Sequence, residues 1–132
     1  MATLDTNVLV RYLIADDRKQ HELARSFIES TIRSESLFLP ISVTVELEWV
    51  LRSRYELTKS EIVLVLNRLL ESEEIQFQDE ASIEIALNLF GENNADFADC
   101  LHLAIAYSNS QTPMMTFDRK ASNLPGASLL ES

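Results

Sequence analysis

The chain alternates short, almost wholly apolar runs with longer segments of helical periodicity, and this alternation limits the folds open to it. Strands that are joined through helices pair in parallel, because the crossover returns each strand to the same end of the sheet. The runs show little polar alternation, which is typical of strands covered on both faces. The pattern therefore predicts an α/β protein with a mainly parallel sheet. The predicted strands are residues 1–5, 37–40, 74–78, 113–118 and 127–131.

Capping signals predict where several helices begin and end. Thr58 and Glu61 have the spacing of a capping box. Ser42 is a possible cap of the helix after the second strand, and Gly91 is expected to end the helix predicted over residues 79–90.

The second helical segment follows Asp16 and Asp17, and either residue can cap it. Its apolar positions recur at helical spacing and predict one face turned toward the core. That core-facing stripe comprises Leu23, Phe27, Ile28 and Ile32.

Composition narrows the function classes. A length of 132 residues suits one domain, and a net charge of −10 argues against nucleic-acid binding through a broad basic surface. It leaves room for a local basic rim around an acidic site. The single cysteine, Cys100, is expected to be a buried thiol. We expect neither a signal peptide nor a membrane span, which fits a reducing cytosol.

Two acids on one predicted helix make a useful contrast. Glu48 has Arg52 four residues later, the favourable order for a solvated surface pair. Glu46 has no cation on its own helix and lies among apolar neighbours. It is either a half-exposed acid of the first turn or a group that needs a partner from elsewhere, such as a metal ion.

Four further acids occupy helix starts or strand ends. Each has an ordinary structural explanation: Asp5 and Asp96 as helix caps, Asp99 as an acid of the first turn, and Asp118 as a turn residue. Sites of parallel sheets form at the carboxyl ends of the strands, where these acids and Glu46 are expected. Carboxylates that converge there repel one another unless a cation or protons neutralise them.

An all-oxygen set favours Mg²⁺ or Mn²⁺ over zinc, which prefers His and Cys. The two histidines are not spaced as a zinc pair. We expect His21 on a helix surface and His102 partly buried on a helix.

Four motifs in order resemble the PIN domains, above all the VapC-type ribonuclease toxins of toxin–antitoxin pairs. The motifs are "LDTNVLVRYL", "SVTVELEWVL", "DFADCLHLAIA" and "MTFDRKA". The resemblance implies one domain over residues 1–132 with a three-layer α/β/α fold and a central, mainly parallel sheet. It also implies RNA cleavage by water with Mg²⁺ or Mn²⁺, which leaves 5′-phosphate and 3′-hydroxyl ends. An antitoxin and a homodimer, for which residues 62–70 offer an apolar face, are the implied protein partners.

The resemblance also assigns roles to residues. The implied metal ligands are Asp5, Asp99 and Asp118, and Glu46 would place a second cation or orient the attacking water. Polar positions near the metal fall on Asn7, Thr116 and Asp96. Apart from the resemblance, Arg119 and Lys120 directly follow Asp118 in sequence, and we expect these two cations to bind substrate phosphates.

Three alternatives stay open. A haloacid-dehalogenase-like phosphatase needs a second aspartate two residues after the first, where this chain has Asn7. A receiver domain needs a central strand that ends in the acceptor aspartate, and residues 74–78 are followed only by Asp79. A non-catalytic PIN-like interaction module is the third, and the complete set of acids argues against it.

Overall fold

A computed structural model of the chain describes residues 2–131, which divide into two compact units at Gln78/Asp79. The first unit contains three strands and four helices, and the second contains two strands and three helices. In the first unit the elements are β1 (Ala2–Thr3), α1 (Thr6–Leu13), α2 (Arg18–Thr31), β2 (Leu37–Leu39), α3 (Ile41–Ser53), α4 (Lys59–Glu71) and β3 (Ile75–Phe77). In the second they are α5 (Glu80–Glu92), α6 (Phe97–Ser108), β4 (Met114–Thr116), α7 (Arg119–Ser122) and β5 (Ala127–Leu129).

Every strand pairing in residues 2–131 is parallel. The first unit has a three-stranded sheet in the order β1-β2-β3, in which Leu37 pairs with Ala2 on one side and with Ile75 on the other. The second unit has a two-stranded sheet, in which Thr116 of β4 pairs with Leu129 of β5. The prediction of parallel strands linked through helices is confirmed, because an intervening helix reverses the chain direction between partners.

Two predicted helix starts are confirmed in atomic detail. The Asp17 carboxylate accepts a hydrogen bond from Gln20 N at 3.0 Å. Thr58 and Glu61 form the expected capping box, with Glu61 N donating to Thr58 Oγ1 at 3.2 Å and Thr58 N donating to Glu61 Oε1 at 2.9 Å. Both caps satisfy N–H groups that the first turn of a helix leaves without a backbone acceptor.

Two other helix ends were predicted wrongly. Helix α3 begins at Ile41 rather than after Ser42, and Pro40 is its N-cap without a side-chain capping bond. Helix α5 continues through Gly91 to Glu92, and Asn93 ends it by donating from Nδ2 to the carbonyl of Leu89 at 2.9 Å. No heavy atom approaches within 4 Å of a Cβ built on Gly91, so no close contact there calls for a glycine.

The predicted stripe on α2 is only partly in the core. Ile28 is buried, as is Ala24, but Leu23 and Phe27 are exposed and Ile32 is half-buried. The helix therefore turns a narrower apolar face inward than its sequence suggested.

Part of the apolar face of α4 belongs to the core. Ile62, Leu66 and Leu69 are buried, whereas Leu64 on the same helix is exposed. In the second unit, the rings of Phe90 and Phe97 pack edge to face with centroids 5.6 Å apart. Across residues 2–131, none of the helices has the length and apolar character required to cross a membrane.

Candidate active site

Asp5 is both exposed and structurally engaged. It lies two residues after the end of β1 and is the N-cap of α1, where its carboxylate accepts a hydrogen bond from Val8 N at 3.0 Å. The sequence-based capping role is therefore correct. A carboxylate has several lone pairs, so one capping bond leaves acceptor capacity on Asp5 for a ligand.

Asp5 and Asn7 line a hollow of about 500 Å³ in the first unit. Leu23 and Phe27 form part of its wall together with Val8, which explains why these two residues of α2 are not in the core. The exposed Asn7 amide thus lies beside Asp5 on a surface that is otherwise largely apolar.

The contrast between the two glutamates of α3 is the reverse of the prediction. Glu48 is buried, with 3% of its side chain exposed, and it accepts a hydrogen bond from Arg52 Nε at 2.9 Å. The predicted pairing is correct, but this acid is not solvated. Glu46 lies in the second turn of α3 rather than the first, and it is exposed.

Glu46 is held by a residue that the sequence analysis did not single out. The buried hydroxyl of Thr6 donates a hydrogen bond to Glu46 Oε1. Thr6 is the residue after Asp5, so this bond brings the second predicted acid next to the start of α1. A buried hydroxyl needs a partner, and a threonine directly after a strand-terminal acid was the signal that could have indicated one.

The second unit contains three of the predicted acids, and two of them lie at the start of α6. Asp96 is the N-cap of this helix, but its exposed carboxylate makes no capping hydrogen bond. Asp99 is the third helical residue, as predicted, and is half-buried.

Asp99 lies in an unfavourable electrostatic environment for a carboxylate. Burial raises the pKa of the Asp99 carboxyl above its ordinary value, and repulsion from Asp118 raises it further. Nearby His102 opposes this shift, and Asp96 adds a smaller upward contribution to the pKa. Asp118 and Asp96 therefore lie near enough to Asp99 to disfavour its ionised form.

Asp118 was predicted to end a strand, but β4 ends at Thr116, and Asp118 lies exposed two residues later. Its carboxylate accepts a hydrogen bond from Ala121 N at 2.9 Å and so caps α7. Its own N–H donates to Thr116 Oγ1 at 3.0 Å. Thr116 therefore positions the backbone of Asp118, a specific role for a residue predicted only to lie near the site.

Asp96 and Asp118 line a second hollow, of about 320 Å³, together with Arg119 and Lys120. All four side chains are exposed. The predicted substrate-binding cations of the second unit thus share a surface with two of its predicted acids. The local charge is mixed, in contrast to the net negative charge of the chain.

The histidines differ from their predicted environments. His21 is half-buried, with Nδ1 2.8 Å from the carbonyl oxygen of Arg11, and His102 is exposed. Within residues 2–131, no three His, Cys, Asp or Glu side chains are grouped closely enough to hold a metal ion. The predicted convergence of all four acids on one cation therefore stays a prediction.

Comparison with known proteins decides the family. The PIN domain family matches residues 2–127, nearly the whole chain. The chain belongs to the PIN-domain family. The parallel sheet of three strands with its helices agrees with the predicted three-layer α/β/α class of PIN domains. This PIN domain is also similar to the VapC ribonuclease of Aquifex aeolicus (strain VF5), with 27% identity over 124 residues, which cover 94% of this chain and 92% of the relative.

Proposed function

We propose that this PIN domain is a ribonuclease that hydrolyses RNA phosphodiester bonds with water and depends on Mg²⁺ or Mn²⁺. Its family and its similarity to a VapC ribonuclease support a nuclease. The environment of Asp99 is the main support for metal dependence. Burial and the charge of Asp118 both disfavour the ionised form of Asp99, and a bound dication would stabilise that form.

The donors available are chemically suited to such a cation. The acids concerned carry only oxygen ligands, which Mg²⁺ and Mn²⁺ prefer. We assign the metal to Asp5, Asp99 and Asp118. When bound, the cation would lower the pKa of a water molecule and polarise a phosphoryl oxygen.

The remaining residues bind and orient. Glu46, held by Thr6, orients the attacking water and accepts its proton. The water oxygen bonds to phosphorus, the P–O3′ bond breaks and O3′ takes up a proton, which leaves a 3′-hydroxyl and a 5′-phosphate. Arg119 and Lys120 bind the substrate phosphates.

The roles of Asp96, Asn7 and Thr116 complete the assignment of residues. Asp96 and Asn7 add polar groups beside the metal ligands, and Thr116 fixes Asp118 through its backbone N–H. None of these three is required to contact the metal.

We further propose that the chain is the toxin of a toxin–antitoxin pair, acts in the cytoplasm and forms a homodimer. The similarity to a VapC protein supports the first proposal. A net charge of −10 favours a basic segment in the antitoxin.

Incubation with total RNA tests the activity. We expect cleavage with Mg²⁺ or Mn²⁺, none with chelator, and cut ends that carry 5′-phosphate and 3′-hydroxyl groups. A sample of Asp99→Asn, purified in the same way, controls for contaminating nucleases. A non-catalytic interaction module predicts that RNA remains intact under every condition, and that result would contradict the proposal.

A further inference from the structure

Phe117 is the most exposed large apolar side chain in the described part of the chain, with 79% of its surface accessible. It lies between Thr116 and Asp118, in the short segment that joins β4 to α7. Single exposed apolar residues are common on protein surfaces and need no explanation by themselves. The surroundings of Phe117, however, combine three features that point to one class of ligand.

The first feature is a fixed backbone on both sides of the ring. Before Phe117, the carbonyl of Thr116 accepts a hydrogen bond from Leu130 N at 2.8 Å. After it, Asp118 N donates to Thr116 Oγ1 at 3.0 Å, and the Asp118 carboxylate accepts from Ala121 N at 2.9 Å. The exposed ring is therefore presented by an ordered turn, so little backbone entropy is lost when a ligand binds.

The second feature is a pair of adjacent cations. Arg119 and Lys120 follow in sequence and line the 320 Å³ hollow with Asp96 and Asp118. Among the salt bridges described for residues 2–131, none involves either cation. Both side chains are exposed, so they can meet an anionic group without first breaking an ion pair.

The third feature is the acidic neighbourhood of the same hollow. In a chain with a net charge of −10, a nucleic acid gains little from general attraction. A nucleotide must then be held by local contacts, and an exposed aromatic ring two residues before a pair of exposed cations offers both kinds that it needs.

We propose that Phe117 stacks on a base of an unpaired RNA nucleotide whose phosphate is bound by Arg119 and Lys120. This inference rests on the proposed ribonuclease function and adds a residue that selects single-stranded over duplex RNA. A base in a duplex has both faces stacked on its neighbours and cannot offer one to the ring.

A nucleotide accounts for this surface better than an apolar protein partner does. Met115 and Leu130 are also exposed, so a protein could cover an apolar patch here. Such a partner would bury Phe117 but would also remove water from Arg119 and Lys120 without pairing their charges, which is costly. An RNA nucleotide satisfies the ring and the cations together.

Fluorescence of a short single-stranded RNA that contains 2-aminopurine tests the stacking directly. The full chain is titrated into this RNA in chelator and low salt, so that the strand stays intact and activity is not the readout. We expect quenching on binding, and a loss of affinity of about five- to hundred-fold in Phe117→Ala. Phe117→Tyr retains the aromatic face and should restore both affinity and quenching.

Matched controls separate stacking from a general effect on the surface. Tyr107 is 65% exposed on α6 of the same unit, so Tyr107→Ala removes an equally accessible aromatic ring and should bind as the parent chain does. The same RNA annealed to its complement should bind more weakly and be insensitive to Phe117→Ala. Arg119→Ala should weaken binding and reduce its salt dependence by about one phosphate contact.

Several outcomes would overturn the inference. The inference fails if the parent chain does not bind the probe, or if Phe117→Ala binds it with the same affinity as the parent chain. It also fails if Phe117→Ala loses affinity equally for single-stranded and duplex RNA. Loss of self-association in Phe117→Ala with unchanged RNA binding would indicate a protein interface instead. Binding that depends on Phe117 without any cleavage of RNA would reject the ribonuclease and retain the stacking. If Phe117→Ala left both metal-dependent cleavage and probe binding unchanged, the ribonuclease would be retained and the stacking rejected.

Discussion

The predicted catalytic acids of the two units lie in contrasting environments. In the first unit, Asp5 and Glu46 are exposed, and each accepts a hydrogen bond from the protein, from Val8 N and from the Thr6 hydroxyl respectively. In the second unit, Asp99 is half-buried and is repelled by Asp118 and Asp96. Hydrogen-bond donors stabilise Asp5 and Glu46, whereas burial and like-charge repulsion raise the free energy of ionised Asp99.

This difference indicates which acids are retained at a cost to folding. A capping or hydrogen-bonded carboxylate contributes to stability whether or not it has another function. A carboxylate that is crowded by like charges does not, so its presence is better explained by a ligand that neutralises it. Substitution of each group in turn tests this contrast.

The largest effect is expected from the crowded group. Asp99→Asn should lower metal-dependent RNA cleavage by more than about a hundred-fold, because even the groups that support metal ligands contribute about ten- to hundred-fold. Circular dichroism of the same sample should show an intact fold. Glu84→Gln, which removes an exposed acid from α5, is the matched control and should cleave normally. Normal cleavage by Asp99→Asn would remove this residue from the site.

A smaller loss is expected when the donor to Glu46 is removed. Thr6→Val keeps the side-chain shape but eliminates the hydroxyl, and we expect about a ten-fold loss of kcat with little change in KM. Thr6→Ser keeps a hydroxyl at this position and should restore kcat. If serine and valine variants were equally impaired, the loss would reflect packing around Thr6 rather than the orientation of Glu46.

The capping role of Asp5 predicts a separation of stability from activity. Asp5→Ala should lower the free energy of unfolding by about 1 kcal/mol, because Val8 N loses its acceptor. Asp5→Asn retains a good capping side chain and should be nearly as stable, although it should be inactive. Denaturant unfolding of the two variants measures this difference, and equal stabilities would show that the cap contributes nothing.

The smallest effect is the pH dependence that Asp99 adds to stability without metal. Because its folded-state pKa is raised above the ordinary value of an aspartate, the ionised form is disfavoured by folding. Protonated Asp99 is favoured in the folded state, and this contribution to stability is fully present below the pKa of the unfolded chain. It is lost as the pH rises through the pKa of Asp99 in the folded protein. Asp99→Asn should therefore be more stable than the parent chain at neutral pH, and the difference should vanish in acid.

A carboxyl NMR titration measures the same shift directly. Asp118→Asn should lower the pKa of Asp99, since it removes a repelling charge, while burial still keeps that pKa above its ordinary value. An unchanged pKa of Asp99 in this variant would mean that the two acids do not interact.

Local signals predicted those parts of the structure that local chemistry decides. The capping bonds of Asp17 and Thr58 form within one helical turn, so the sequence contains both partners. The same holds for Asp99 at the third position of α6 and for the pairing of Glu48 with Arg52. Gly91, by contrast, was predicted to end helix α5, but the helix continues to Glu92 and its C-cap is Asn93.

The environments of the site residues depend on contacts that are distant in sequence. Glu46 and Glu48 are two residues apart and so lie on opposite sides of α3, at about 100° per residue. Periodicity could not decide which side faces the core, and the prediction reversed them. The bond from Thr6 to Glu46 joins residues 40 positions apart, and neither local propensity nor spacing indicates it.

The α/β class, the parallel pairing and the candidate catalytic acids could all be predicted from the sequence, because strand length, helical period and cap chemistry are local properties. Which carboxylates are buried, paired or mutually repelled depends on tertiary packing. The same packing places Leu23 and Phe27 at the border of a hollow instead of in the core. Burial and electrostatic repulsion act between segments, so they exist only once those segments have packed.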